Sequence, residues 1–156
     1  MLKIKKGMNK VLSYLTAFLL ISMTALVIWQ VFTRYILRNP STFTEELVRF
    51  MLIWTSFLGA AYTFGIRGHM ALIFLRNKLV GKKKRALYLF IDLIILIFAL
   101  ILIKGGINLS SNLIQINTPI LGVSKGLVYS IVPISGFLIT IYQIFNIRED
   151  LEMEIN

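Results

Sequence analysis

One of the seven acidic residues in this 156-residue chain, Asp92, stands inside a long apolar run. A carboxylate at membrane depth is costly and is a candidate for function. A proton relay would need a second acid or base at the same depth, and the run offers none. The residues therefore point to a structural role, a hydrogen bond between Asp92 and a facing Tyr62 or Thr63, or with another subunit. His69 is the only histidine, and cysteine is absent. Thiol catalysis, disulfides and cysteine zinc sites are thereby excluded, as is a bis-histidine haem within the chain. His69 reads as a hydrogen-bonded residue at a membrane interface, with pH sensing as the alternative. Ser135-Gly136 lacks the glycine-flanked surroundings of a membrane serine protease. No phosphate loop, metal-ligand cluster or Ser/His/Asp set is present, so the sequence predicts no enzyme activity, no metal and no cofactor.

A second chemical group is Arg34, Glu45, Glu46 and Arg49. Pro40-Ser41 is a turn signal. Thr42 and Glu45 have capping-box spacing ahead of an apolar run. Acids are favoured at a helix N-terminus, and Glu45 and Arg49 are spaced to pair on one helical face. The group is expected to fix the junction of two helices and to contact a partner. Trp54 lies deeper than Trp29 and Tyr35, which suit an aromatic belt, and is read as a protein–protein contact. Small residues gather at Gly59, Ala60, Ala61 and Gly65, where helices can approach closely.

These side chains must be positioned by membrane helices. Hydrophobic residues make up 57% of the chain, charged ones 15%, and mean hydropathy is +0.79. Soluble domains average about 45–50% apolar and about 25% charged. Four apolar stretches run over about residues 11–33, 47–66, 86–107 and 127–145. Each approaches the roughly 20 residues a helix needs to cross the hydrocarbon core. The fold class is all-α integral membrane, with residues 1–156 forming one four-span domain and short interfacial amphipathic helices. One such helix is expected over Met70–Leu75. A second is expected beyond Lys104, continuing the third span past Gly105-Gly106 and ended by Pro119. Pro133 is expected to kink the fourth span unless its helix begins later. The first apolar run exceeds a signal-peptide core and no small-residue cleavage site follows, so it is expected to remain as an anchor.

The net charge of +10 is mostly an orientation signal. Four basic residues precede the first span, and seven lie between Arg67 and Arg85. The positive-inside rule then places both termini and the middle loop in the cytoplasm. The Lys82–Arg85 cluster is read as facing anionic headgroups rather than nucleic acid.

The order of several motifs resembles a known family. Trp29-Gln30-Val31 with Arg34-Tyr35, Thr44-Glu45-Glu46-Leu47 with Arg49, Trp54, Gly59-Ala60 and Gly68-His69 follow one another. Together with a proline in the fourth span they resemble the small permease subunit (DctQ/SiaQ-like) of tripartite ATP-independent periplasmic (TRAP) transporters. The resemblance covers nearly the whole chain and is sharpest from Trp29 to His69. It implies a three-part machine: a periplasmic binding protein captures an organic acid, and a large permease carries it inward on a sodium gradient. The small subunit associates with the large permease and helps hold it in the inner membrane. Substrates across the family include C4-dicarboxylates and sialic acid. The chain departs from the pattern after His69, where Met70-Ala71-Leu72-Ile73 lacks the acid found in many members. The competing reading is a self-assembling small four-helix channel or exporter. Small multidrug exporters share this size, but they depend on an acid in the first span, which here is uncharged.

Overall fold

The computed structural model describes residues 2–67 and 82–152. His69 and the interfacial helix expected over Met70–Leu75 lie outside the described residues. Among the described residues five helices follow in order: α1 (Leu2–Tyr35), α2 (Thr42–Gly65), α3 (Lys82–Leu113), α4 (Lys125–Tyr129) and α5 (Ile131–Glu152). Among the described residues four segments are long and apolar enough to cross a membrane: Lys3–Tyr35, Thr42–Gly65, Ala86–Leu113 and Lys125–Leu151. The chain is an all-α membrane protein. In lipid every backbone donor needs an internal partner, and a helix supplies one at each step.

The helices form an open row rather than a closed square. α1 packs chiefly along α2, α2 along α5, and α5 along α3. Burial is concentrated in one segment of the row. Half of the apolar window of the α4–α5 segment is buried, against 6% for α1 and 11% for α2 and for α3. The core follows α5: Ile131, Ile139 and Tyr142 are fully buried, against Leu58 and Ala61 of α2, Ala99 of α3 and Leu12 of α1.

Close approach along this core depends on glycines outside the small-residue run of α2. A Cβ on Gly106 would sit 2.6 Å from the ring of Pro133, and one on Gly136 would sit 2.9 Å from the Ala99 carbonyl. Within α2 itself, Gly65 lies under the Tyr142 ring, whereas Gly59 faces open space.

Three local expectations take a different form. Ser41, not Thr42, is the N-cap of α2, and it makes no side-chain capping bond. The hydroxyl of Thr44 instead donates back to the Ser41 carbonyl at 2.9 Å, so the Thr42/Glu45 capping box does not form. α3 does continue past Gly105-Gly106, but it stops at Leu113, well before Pro119. Its end is fixed by tertiary bonds: Ser124 Oγ donates to the Ile114 carbonyl at 2.6 Å, and the Lys125 amide to the Ile116 carbonyl at 2.8 Å. The fourth span is divided at Ser130. α5 begins at Ile131, so Pro133 falls in its first turn, where a missing amide hydrogen costs little.

Candidate functional site

At the end of α2 the chain turns sharply. The Ile66 amide donates to the Tyr62 carbonyl at 3.0 Å, and Arg67 then adopts a left-handed backbone with φ of +53°. That conformation is unusual for a residue with a Cβ. Here it accompanies a side chain directed into the bundle. Arg67 Nη1 and Nη2 donate to the two oxygens of Asp150 at 2.7 and 2.9 Å. Nη2 also reaches the Asn146 carbonyl at 2.7 Å and Asp92 Oδ2 at 3.2 Å. The guanidinium lies 5.4 Å from the centre of the Tyr88 ring. Asp92 and Asp150 are buried, Asp150 completely.

α1 joins the same cluster. Lys5 Nζ donates to Asn146 Oδ1 and to Glu149 Oε2, both at 2.8 Å. The Asn146 amide in turn donates to Gln143 Oε1 at 3.1 Å. One polar knot thus ties the first turns of α1, the C-terminus of α2, α3 and the last turns of α5. Two bases face three acids. Burial acts against the Arg67 charge, but the bond with Asp150 and the negative charges of Asp150, Asp92 and Glu149 outweigh it and raise its pKa above the ordinary value. Beside the knot, Lys5, Asn9, Gly65, Ile66, Arg67, Glu149 and Asp150 line a cleft of about 490 Å³.

The opposite end of the bundle holds a second anchor. Glu46 is buried near the start of α2, and its Oε2 accepts the Leu121 amide at 2.8 Å and the Ile120 amide at 3.2 Å. Those amides belong to the tip of the hairpin between α3 and α4. Deeper on α2, Trp54 Nε1 donates to the Val128 carbonyl at 3.0 Å. Trp54 therefore braces α4 within its own chain.

The site residues read from the sequence fall into separate places. Glu45 pairs with Arg49 at 3.6 Å with both side chains exposed. Arg34 is exposed at the end of α1. Glu46 turns away from both and holds the hairpin. Asp92 is bound by Arg67 rather than by Tyr62 or Thr63; the Thr63 hydroxyl donates to the Gly59 carbonyl at 2.8 Å. A base and a second acid do share the depth of Asp92. In the sequence Arg67 falls in the basic middle loop and Asp150 past the fourth apolar stretch, so hydropathy places neither inside a span. A signal was present: Gln143, Asn146 and Asp150 repeat at helical spacing, and all three are fully buried on α5.

The DctQ component model of tripartite ATP-independent periplasmic transporters matches residues 23–153, a stretch that holds Arg67, Asp92 and Asp150. The chain belongs to this family. A TRAP transporter small permease protein of Haemophilus influenzae is 34% identical over 133 residues, which cover 85% of this chain and 82% of that protein. The sialic acid TRAP transporter small permease protein SiaQ of Vibrio cholerae is 25% identical over 149 residues, 94% of this chain and 86% of its own length. The sialic acid TRAP transporter permease protein SiaT of H. influenzae is 22% identical over 133 residues, 85% of this chain but 22% of that protein. The chain is thus a TRAP transporter small permease subunit. With its four span-length helices it is a multi-pass protein of the inner membrane. The family is a class of transporter components, not of enzymes.

Proposed function

We propose that this small subunit is the membrane scaffold on which a large TRAP permease is held while it takes up an organic acid. The permease is driven by a sodium gradient and supplied by a periplasmic binding protein. Family membership supports the partnership, and the names of two relatives favour sialic acid within the carboxylate class. The observation that carries the scaffold reading is the open row of helices. Only 6% of the residues in the apolar window of α1, and 11% of those in the window of α3, are fully buried within the chain. Phe90, Ile94, Ile97 and Ile101 on α3 are among the large exposed side chains. Faces of this kind suit lipid and a membrane partner together. The charged groups of the Arg67 knot, by contrast, are engaged in binding the chain's own helices.

In this reading the Arg67 end and both termini face the cytoplasm, and the Lys82–Arg85 cluster at the start of α3 meets anionic headgroups. Affinity purification of the full chain in mild detergent is expected to retain the large permease. Proteoliposomes holding both subunits and the binding protein are expected to accumulate sialic acid only with an inward sodium gradient. Uptake by the permease without this chain, at the rate of the complex, would refute the scaffold role. Solute flux through the purified small subunit alone would instead establish a self-assembling channel or exporter.

A further inference from the structure

The hairpin between α3 and α4 has features that a water-exposed loop does not require. From Gly105 to Ser124 the chain carries no charged side chain. Ile114, Ile116, Ile120 and Val123 are 39–50% exposed. Its backbone is nevertheless closed on itself. The Thr118 amide donates to the Val123 carbonyl at 2.9 Å, the Gly122 amide to the Thr118 carbonyl at 3.2 Å, and the Val123 amide to Thr118 Oγ1 at 3.2 Å. Gly122 supplies the left-handed residue of the turn, with φ of +66°. Pro119 has no amide hydrogen to satisfy, and Glu46 takes the two amides at the tip. In water these donors need no protein partner. Near hydrocarbon each unsatisfied one is costly.

The depth of the tip follows from its anchor. Glu46 and Gly65 lie on one continuous helix, about 28 Å apart at 1.5 Å per residue. The hydrocarbon core is roughly 30 Å thick. Because Glu46 binds the tip, the hairpin folds back to the edge of the core instead of projecting beyond it. The aromatic side chains agree with this level. Leu12 joins a core cluster with Ala61, and Leu19 lines a groove with Trp54, so α1 rises as α2 descends. That register brings Trp29, stacked on Phe32 at 5.8 Å, to within about a turn of Glu46. Exposed aromatics of this kind mark the interface between lipid and water.

We propose that the hairpin at residues 114–124 is a lipid-contact element. Ile114, Ile116, Ile120 and Val123 bed into the boundary between headgroups and acyl chains, and Glu46 is the positioning residue that sets their depth. The occupant is phospholipid without regard to headgroup charge, since the hairpin bears none. A protein partner at this surface is the alternative that the test must separate.

The chain contains no cysteine, which makes the measurement direct. Ile120→Cys carries a nitroxide in the complex with the large permease, reconstituted in phosphatidylcholine vesicles with and without phosphatidylglycerol. Collision with dissolved oxygen and with a water-soluble nickel chelate is then read. Ile21→Cys on the exposed face of α1 gives the lipid reference, and Asn39→Cys between α1 and α2 the aqueous one. The expected result is oxygen preference at Ile120 close to that at Ile21, the same in both vesicles. Adding Glu46→Gln should shift Ile120 toward the Asn39 value while Ile21 stays unchanged. Nickel access at Ile120 equal to that at Asn39 overturns the proposal. So does protection from both reagents, which would mean a protein contact. An Ile120 value unmoved by both Glu46→Gln and Glu46→Ala overturns the role given to Glu46.

Discussion

Removing Arg67 should cost this protein more than any other single change in its polar knot, because one guanidinium serves two buried acids at once. Arg67→Met keeps much of the aliphatic volume and deletes four polar contacts, to both oxygens of Asp150, to Asp92 and to the Asn146 carbonyl. Two buried carboxylates would then face each other with only Lys5 nearby, already bound to Asn146 and Glu149. Losing one partner of a buried ion pair costs about 3–5 kcal/mol. That is roughly two to four powers of ten in the folding equilibrium. Geometry ranks the acids. Asp150→Asn disrupts a two-pronged contact at 2.7 and 2.9 Å and should cost about 2–3 kcal/mol. Asp92→Asn weakens a single contact at 3.2 Å and should cost about 1 kcal/mol. Arg67→Lys keeps the charge but not the planar fork, so it should rescue only part of the loss. Reversible unfolding of the purified chain in mixed micelles, followed by circular dichroism, measures all four variants. Combining Arg67→Met with each acid substitution gives the coupling energies. A cost below about 1 kcal/mol for Arg67→Met, or a larger coupling to Asp92 than to Asp150, would refute this account of the knot.

Other changes separate the two ends and the helix seams. Glu45→Lys reverses an exposed pair and should alter stability by at most about 0.5 kcal/mol; reduced co-purification with the large permease in a variant of unchanged stability would then locate an interface at Glu45. Gly136→Ala places a methyl group 2.9 Å from the Ala99 carbonyl and should cost about 1–3 kcal/mol, whereas Gly59→Ala meets open space and should be near neutral in the same unfolding assay. Trp54→Phe leaves the Val128 carbonyl without its indole donor, for a loss of about 1 kcal/mol. With Ser41→Cys and Lys83→Cys in separate chains, an impermeant thiol reagent outside intact cells should label only the former. Labelling of Lys83→Cys alone would invert the proposed orientation.

The spans were legible because lipid imposes one dominant demand, a long apolar run with its backbone satisfied internally. α3 and α5 show where that demand stops informing. Both extend past their apolar stretches into polar residues, α3 from Lys82 to Leu113 and α5 to Glu152. A hydropathy boundary trims those turns away, and with them Asp150. Arg67 was hidden for a different reason. Its role depends on a left-handed turn after Gly65 that folds the side chain back, and net charge reads the residue only as one more cation in a basic loop. The partner of Glu46 was not readable from side-chain types at all, because it consists of two backbone amides 74 and 75 residues further along the chain.

These omissions share a physical origin. Most of the polar groups that fix this fold lie near helix ends and join elements distant in sequence, while periodic patterns report one element at a time. The same placement bears on function. An ion pair at the end of a span ties helices together without placing charge at the centre of the bilayer, where its cost is highest. The Arg67 knot and the Glu46 anchor hold the row of helices from its two ends, about 28 Å apart at the usual helical rise. Between them the contacts are apolar side chains and close glycine seams. A row pinned in this way can keep wide apolar faces open along α1 and α3 without losing its own register. The proposed scaffold role, presenting a fixed membrane surface to a larger permease, would draw on that combination of rigid ends and uncovered sides.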